Sequence, residues 1–176
     1  HLQFASGSAV SRGHTRSIRQ HVNVFGRGRN LLMRQIERQL LSWPVSIIAD
    51  DCWGGQLYRR LRLPYLTPTV GLWIQPRDYI SFIKNLRLKD ALSLTFIPSK
   101  EPYPVGRTPY ATLHFMHYGS EQEALEKFSK RSARIVWDRV YTKIDFGKPD
   151  YTVDDVAEWN RLRLPNSVAL YPSSGK

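Results

Sequence analysis

The sequence predicts an α/β fold, a three-layer Rossmann-like arrangement in which a parallel or mixed sheet is flanked by helices. Short strand-like and helix-like segments alternate along the chain, which is typical of this fold class. Hydrophobic residues make up 41% and aromatic residues 12% of the 176 residues, which suits a chain that buries a sizeable core. We expect one α/β domain over residues 29–176, preceded by a basic, flexible arm over residues 1–28.

The first 44 residues are strongly basic, with seven arginines against a single acidic residue, Glu37. Leu32, Ile36 and Leu40 recur at every fourth position, which predicts a helix from Asn30 to about Leu41 that Pro44 ends. The net charge of +11 would attract anionic partners, and we expect the arm to contact a membrane surface. Nucleic-acid binding is disfavoured because no recognition motif with interleaved aromatic residues accompanies the arginines.

The domain opens with a short β-branched segment, Val45–Ala49, that predicts a buried strand. Gly54 and Gly55 allow a sharp turn into a short helix around residues 57–61. Residues 69–74 have the composition of a second strand. The sequence therefore predicts a βαβ-like unit at the start of the domain.

The middle of the chain continues the alternation of helices and strands. Pro76 suits the first position of a helix ending near Arg87, and residues 92–97 predict a strand. Residues 98–109 contain four prolines and Gly106, a composition typical of a loop. Another strand is expected over residues 110–117.

The last third carries two helix start signals. Ser120 with Glu123 forms a capping-box pattern, and the helix should reach about Arg134. Apolar alternation predicts a strand over residues 140–144, and Thr152 with Asp155 opens another helix. A strand over residues 167–171 completes the predicted domain.

Cys52 is the candidate nucleophile because it follows a predicted strand and precedes a helix. A helix N-terminus lowers the pKa of a thiol and so favours the reactive thiolate. The alternative is that Cys52 is a small buried apolar residue, as free cysteines often are. One cysteine excludes an intrachain disulfide and a cysteine-rich zinc site; the sequence predicts no metal site and indicates no particular cofactor.

Two histidines are candidate general bases. His117 lies at the carboxyl end of a predicted strand, where ligands bind in α/β sheets, and His114 is the second choice. Strand alternation places them on opposite faces, so at most one should reach Cys52. Either could instead be a structural histidine that bonds a backbone carbonyl.

The remaining candidates surround these residues. The adjacent carboxylates Asp50 and Asp51 should point apart on an extended segment, and one could orient a histidine or cap the helix. Asp51 is assigned to the catalytic group with Cys52, His117 and His114. Substrate binding is assigned to Asp50, Trp53, Gly54, Gly55, Tyr118, Arg131 and Arg134. The basic helix face that carries the two arginines could also be an ordinary solvated face.

Five ordered segments resemble a family of exopolysaccharide biosynthesis proteins that contain a domain of unknown function. They are Cys52–Gly55, Thr67–Leu72, Tyr103–Gly106, His114–Tyr118 and Arg134–Asp138. The resemblance implies an α/β sandwich with a Rossmann-like arrangement and a link to capsule or exopolysaccharide loci. Two asparagines usually precede the cysteine in that family, whereas Asp50 and Asp51 stand here.

These observations lead to two functional hypotheses. The first is a transferase that moves an acyl group to a glycan or glycan precursor, with a glycan or an activated sugar or acyl donor as its partner. The second is a non-catalytic component of polysaccharide assembly that binds a glycan or a membrane surface. The absence of a secretory signal pattern or a long apolar segment predicts a cytoplasmic protein, peripheral to the inner membrane.

Overall fold

The computed structural model describes residues 34–35, 38–148 and 151–172, and it has an α/β fold with two sheets. The parallel sheet contains Ser46–Ala49 (β1), Val140–Asp145 (β6) and Ser167–Leu170 (β7), with β6 in the middle. The antiparallel sheet contains, in spatial order, Trp73–Ile74 (β2), Ala111–His114 (β5), Val105–Thr108 (β4) and Thr95–Phe96 (β3). The helices are Trp53–Arg60 (α1), Pro76–Asn85 (α2), Glu121–Ser132 (α3) and Val153–Arg161 (α4). The predicted fold class is confirmed.

The parallel connection lies at the end of the chain rather than at its start. β6 and β7 are parallel neighbours joined through α4, with Thr142 opposite Ser167. The predicted βαβ unit over residues 45–74 is wrong, because β2 pairs antiparallel with β5. Only Trp73 and Ile74 of the predicted second strand are extended. The backbone N–H of Ile74 donates to the carbonyl of Asp50 at 3.1 Å and so connects the two sheets.

The first helix packs closely on the first strand because its first turn contains two glycines. A Cβ added to Gly54 would lie 3.2 Å from the Cβ of Ala49. A Cβ added to Gly55 would lie 3.1 Å from Cγ1 of Val70. Gly54 therefore allows α1 to approach β1, and Gly55 allows it to approach the segment that contains Val70.

The opposite face of the parallel sheet is covered by α2 and α4. Tyr79 of α2 is fully buried and donates its hydroxyl to the carbonyl of Ile48 at 2.9 Å. Trp159 of α4 stacks on Tyr79 with ring centroids 6.1 Å apart. These aromatic residues join the hydrophobic core that also contains Ile144.

One strand occurs inside the segment predicted to be a loop. Residues 105–108 form β4, so the prediction of a continuous loop over residues 98–109 is wrong. A Cβ on Gly106 would lie 2.6 Å from Cδ1 of Leu94 and 3.0 Å from Cε2 of Phe115. Here tertiary packing, which only glycine permits, overrides a composition that favours loops.

The helix caps follow the sequence signals closely. Ser120 accepts a hydrogen bond from the N–H of Glu123, whose carboxylate accepts from Gly119 rather than from Ser120. Thr152 and Asp155 form the complete reciprocal capping box. Within the described residues, no helix is both long enough and apolar enough to cross a membrane.

The N-terminal predictions fall mostly outside the described residues. Residues 34–35 and 38–42 are helical, in agreement with the helix predicted to end near Leu41. The basic arm over residues 1–28 lies outside the part of the chain that the structure describes.

Candidate functional site

Cys52 and His117 line the same open pocket, which has a volume of about 330 Å³. The pocket lies beside the N-terminal end of α1. Its lining residues are Cys52, Gly55, Gln56, Arg59, Tyr65, Val70, Gly71 and His117. None of these residues carries a carboxylate, whereas Arg59 supplies a permanent positive charge. The sequence placed the thiol and one imidazole together, and the structure does the same; their catalytic roles remain predictions.

The spacing along α1 explains one wall of this pocket. Cys52 immediately precedes the helix, and Gln56 and Arg59 follow four and seven residues later on the same helical face. The backbone N–H of Gln56 donates to the carbonyl of Cys52 at 3.0 Å, which is the first helical hydrogen bond. Arg59 was not predicted from the sequence, although this spacing identifies it once Cys52 is taken as the reference point.

Gly71 forms the opposite wall and fixes the position of His117. Its φ angle of +70° lies in the left-handed region that favours glycine. A Cβ at this position would lie 3.3 Å from both the Cβ of His117 and Cε2 of Tyr118. The histidine therefore packs directly on the glycine backbone. His117 follows the end of β5, as the position predicted for a general base requires.

The Cys52 thiol is half-buried, and its surroundings favour the protonated form. Burial raises the pKa of Cys52, and the nearby Asp51 charge raises it further, while Lys148 acts in the opposite direction. Asp51 also accepts the N–H of Trp53 at 2.9 Å and so neutralises part of the helix N-terminus. The net direction is the opposite of the acidification predicted for a thiol at a helix N-terminus. The thiol donates weakly to the carbonyl of Leu72, with sulfur and oxygen 3.8 Å apart.

His114 does not line the pocket. Its ring lies against Trp73, with centroids 4.7 Å apart, and edge-on to Tyr103. Burial lowers the pKa of His114, and its Nδ1 atom has no hydrogen-bond partner among the described residues. The expectation that at most one histidine would reach the cysteine agrees with this arrangement.

Asp50 and Asp51 converge on two lysines, so the prediction that their side chains point apart is wrong. Asp50 is 1% exposed and accepts hydrogen bonds from Lys143 at 3.1 Å, Lys148 at 2.8 Å and the Tyr151 hydroxyl at 3.3 Å. Asp51 lies 3.1 Å from Lys143 and 2.9 Å from Lys148. Asp51 sits beyond the end of β1, in the bend before α1, so strand alternation no longer applies to it. We call these four charged residues the aspartate–lysine cluster.

The electrostatics of this cluster favour the charged forms of Asp51 and Lys148. Burial acts to raise the pKa of Asp51, but the Lys148 hydrogen bond and the Trp53 N–H outweigh it, and the net pKa is lowered. Burial likewise acts to lower the pKa of Lys148, but Asp50 and Asp51 raise it overall. Burial and the Asp50 charge raise the pKa of Tyr151 far above its usual range. In this cluster the two lysines neutralise the two aspartates, and their ion pairs connect the end of β1 with β6 and with the segment after β6.

Three neighbours of the aspartates were not predicted from the sequence: Lys143, Lys148 and Tyr151. More than 90 residues separate them along the chain, with 93 between Asp50 and Lys143. One signal was present: Lys143 stands between Thr142 and Ile144, in a predicted strand made mostly of β-branched and aromatic residues. A lysine in the middle of a buried strand requires a buried counter-charge.

Tyr118 and Arg131 stand beside the pocket. The Tyr118 hydroxyl donates to the carbonyl of Val70 and accepts from Arg131, each at 2.5 Å. The Arg131 guanidinium lies 4.9 Å from the ring centroid of Tyr65. Because Val70 and Tyr65 line the pocket, these contacts hold Arg131 close to its rim. Arg134 is exposed beyond the end of α3.

Trp53 and Gly54 lie on a different side of α1. Trp53 is 44% exposed and lines a separate apolar groove over the parallel sheet. Gly54 is buried against Ala49, whereas Gly55 lines the pocket. Of the predicted substrate-binding residues, the structure places Gly55 in the pocket and Tyr118 and Arg131 next to it.

Two comparisons with known proteins identify the family of this chain. Residues 26–176 match the family described as "Domain of unknown function (DUF1919)". The chain is also 30% identical, over 145 residues, to a Haemophilus influenzae protein described as "Uncharacterized protein". That alignment covers 82% of this chain and 70% of the relative. The chain belongs to the DUF1919 family of domains of unknown function.

Proposed function

We propose that this protein transfers an acyl group to a glycan or glycan precursor, with Cys52 as the nucleophile and His117 as the general base. The observation that carries the proposal is that both side chains line one open pocket. The connection to exopolysaccharide or capsule biosynthesis rests on the sequence resemblance of the five ordered segments, three of which contribute residues to this pocket. A nucleophile and a base that share an accessible cavity are the minimum requirement for covalent acyl transfer.

The raised pKa of Cys52 determines how the first step proceeds. The thiol is protonated at rest, so His117 removes its proton as the sulfur attacks the carbonyl carbon of the acyl donor. A carbon–sulfur bond forms, and the carbonyl oxygen carries the negative charge until the intermediate collapses. The donor's leaving group then departs with the proton from His117, which leaves a thioester on Cys52.

The second step returns the protein to its starting state. A glycan hydroxyl attacks the thioester carbonyl and gives its proton to His117. The carbon–sulfur bond breaks, and the imidazole returns a proton to the Cys52 sulfur. The products are an acylated glycan and a free thiol, so no oxidant or reductant is consumed.

Backbone and arginine groups supply the charge complementarity for these steps. The first turn of a helix has N–H groups without intrahelical partners, and Gly55 contributes one beside Cys52. Gly54 contributes another in the same turn. Arg59 in the pocket and Arg131 at its rim can bind an anionic group of the substrate. The absence of carboxylates among the lining residues favours an anionic substrate over a cationic one.

The decisive experiment is trapping of the acyl intermediate. The purified protein is incubated with a panel of thioester acyl donors and then analysed by intact-protein mass spectrometry. An acyl adduct that maps to Cys52 is the expected result, and Cys52→Ala should abolish it. His117→Asn should slow its formation at least about 100-fold, the lower end of the range of about 100- to 10,000-fold attributed to general bases.

His114→Asn is the matched control, because this imidazole lies outside the pocket. It should leave adduct formation unchanged. An adduct that still forms on the Cys52→Ala variant, or equal losses from the two histidine substitutions, would remove the mechanism.

A second candidate is a non-catalytic component of polysaccharide assembly that binds an anionic glycan in the same pocket. The raised pKa of Cys52 and the adjacent Asp51 favour it, since both oppose a thiolate nucleophile. It predicts glycan binding that Cys52→Ser preserves and Arg59→Gln weakens, with no acyl adduct from any donor. The basic N-terminal arm would add contact with an anionic membrane surface.

A further inference from the structure

A second pocket lies at the N-terminal ends of α2 and α4, and it is larger than the pocket that contains Cys52. Its volume is about 540 Å³, within the range of about 300–1,000 Å³ that is usual for small-molecule sites. Its lining residues are Trp73, Gln75, Pro76, Arg77, Thr152 and Asp155, and we call it the Trp73 pocket. None of these residues has a role in the chemistry proposed for Cys52.

The local structure explains why these side chains meet. Trp73 and Ile74 alternate in β2, so the burial of Ile74 in the core turns the Trp73 indole to the other face of the sheet. Gln75 immediately precedes α2, and Arg77 belongs to its first turn. Arg77 reaches across to Asp155 in the first turn of α4, with Nε and Oδ1 3.8 Å apart. The starts of the two helices therefore meet beside the indole.

Asp155 has a carboxylate oxygen that is available to a ligand in this pocket. The side chain is 5% exposed, and its Oδ2 atom accepts from the N–H and the hydroxyl of Thr152 at 2.9 and 2.7 Å. Its Oδ1 atom accepts no hydrogen bond from the described residues, because Arg77 Nε lies beyond hydrogen-bond distance. Buried carboxylate oxygens are normally hydrogen-bonded. A ligand that places a hydroxyl beside Oδ1 would meet this requirement.

The Trp73 indole adds an aromatic surface to the same pocket. His114 lies against the indole, with ring centroids 4.7 Å apart, and the half-buried ring also forms part of the pocket wall. The face of an aromatic ring is electron-rich and attracts the weakly positive hydrogens of C–H groups. A sugar ring presents C–H groups on its faces and hydroxyls around its edge, so it complements an indole that has polar groups beside it.

The polar groups of the pocket favour a ligand without net charge. Arg77 and Asp155 carry opposite charges, so the lining is neutral, whereas Arg59 in the Cys52 pocket has no carboxylate among its fellow lining residues. The Gln75 amide both donates and accepts hydrogen bonds. Adjacent sugar hydroxyls also donate and accept, so one can donate to Asp155 Oδ1 while its neighbour accepts from Arg77.

We propose that the Trp73 pocket binds an uncharged saccharide ring that stacks on the indole and bonds Arg77 and Asp155 through adjacent hydroxyls. Gly71 of the Cys52 pocket precedes Trp73 by two residues, so their Cα atoms lie within about 7 Å of each other. The saccharide site is thus next to the thiol pocket and suits the glycan that accepts the acyl group. Its identification as the acceptor site rests on the proposed function, whereas saccharide binding itself does not.

Saccharide binding is tested on the full chain without any acyl donor. An array of neutral bacterial oligosaccharides supplies the ligands, and the tightest ligand is titrated while NMR follows the indole N–H signal of Trp73. Saturable binding that shifts this signal is the expected result. Arg77→Ala should weaken the affinity by about tenfold, as expected for the loss of a hydrogen bond to a charged group. The Arg77 side chain is 80% exposed, so this substitution leaves the fold intact.

Two control variants accompany the titration. Arg161→Ala changes an exposed arginine at the opposite end of α4 and should leave the affinity unchanged, as should Cys52→Ala. The proposal is overturned if no neutral oligosaccharide binds, or if a bound one shifts signals elsewhere and not that of Trp73. Tighter binding of adenosine than of every saccharide would also overturn it, because an indole can stack on a nucleobase as well.

Acyl transfer is assessed separately with the thioester donors described above. Arg77→Ala should retain the acyl adduct on Cys52 and raise the oligosaccharide concentration that is needed to remove it. Saccharide binding at Trp73 without any acyl adduct would remove the transferase and keep this binding site. A normal adduct on Cys52 in a protein that binds no saccharide would have the opposite meaning.

Discussion

Replacing Lys143 with methionine removes the buried cation between Asp50 and Asp51. The Lys143 side chain is 4% exposed, and its Nζ atom lies 3.1 Å from each aspartate. Methionine keeps an unbranched side chain of similar length, so the packing of the strand is largely retained. The substitution therefore tests mainly the electrostatic contribution of the lysine.

The expected cost follows from the partners that remain. Breaking a buried ion pair by removing one partner costs about 3–5 kcal/mol, because the other charge is left uncompensated. Lys148 still lies 2.8 Å from Asp50, and Tyr151 still donates to the same carboxylate. We therefore expect a loss near the lower limit, about 3 kcal/mol in the free energy of unfolding.

Urea unfolding measures this loss. With a slope of about 2 kcal/mol per molar urea, a 3 kcal/mol loss lowers the midpoint by roughly 1.5 M. The control is Lys127→Met, which removes an exposed pair with Glu123 and should cost no more than about 0.5 kcal/mol. Adding Asp50→Asn to Lys143→Met should recover part of the loss. A Lys143→Met variant within about 0.5 kcal/mol of the wild type would refute the reasoning.

Three further predictions concern the aspartate–lysine cluster, the pocket wall at Gly71 and the packing of Gly106. The pKa of Asp51 is lowered in the folded protein, so its contribution to stability is present above about pH 3.9 and is lost as the pH falls through the folded-state pKa. The pKa of Lys148 is raised in the folded protein, so its contribution is present below about pH 10.4 and is lost as the pH rises through the folded-state pKa. Thermal unfolding across pH should decline at both ends, and a profile without these declines would contradict the assignments. Gly71→Ala should lower the free energy of unfolding by about 1–2 kcal/mol, because the φ angle of this residue is left-handed. It should also shift the imidazole NMR signals of His117, and unchanged signals would contradict the packing of His117 on Gly71. Gly106→Ala should cost about 1–3 kcal/mol by overpacking against Leu94, whereas alanine at the exposed Gly119 should cost less in the same unfolding assay.

The fold class and the strongest local signals were predictable from the sequence. The capping box at Thr152 and Asp155 is a contact over three residues, so it appears in the sequence and in the structure alike. β4 was not predictable, because it forms through pairing with β3 and β5, and Leu94 and Phe115 approach Gly106 too closely for a larger residue. Local composition does not contain that information.

The candidate site, like the fold, was predictable from the sequence only in part. Cys52 and the end of β5 were identifiable because strand ends and strand-to-helix corners have local signatures. The charge environment of the cysteine was not, since Lys148 reaches Asp51 from 97 residues away in the sequence. The direction of the Cys52 pKa shift therefore required the structure, as did the convergence of Asp50 and Asp51.

The resting state of Cys52 also affects how the protein responds to peroxide. Oxidation to sulfenic acid requires the thiolate, and burial together with Asp51 keeps that species scarce at neutral pH. Deprotonation is coupled to substrate attack in the proposed mechanism, so the sulfur is reactive only while the pocket is occupied. We therefore expect peroxide to oxidise Cys52 more slowly than it oxidises a permanently ionised thiol.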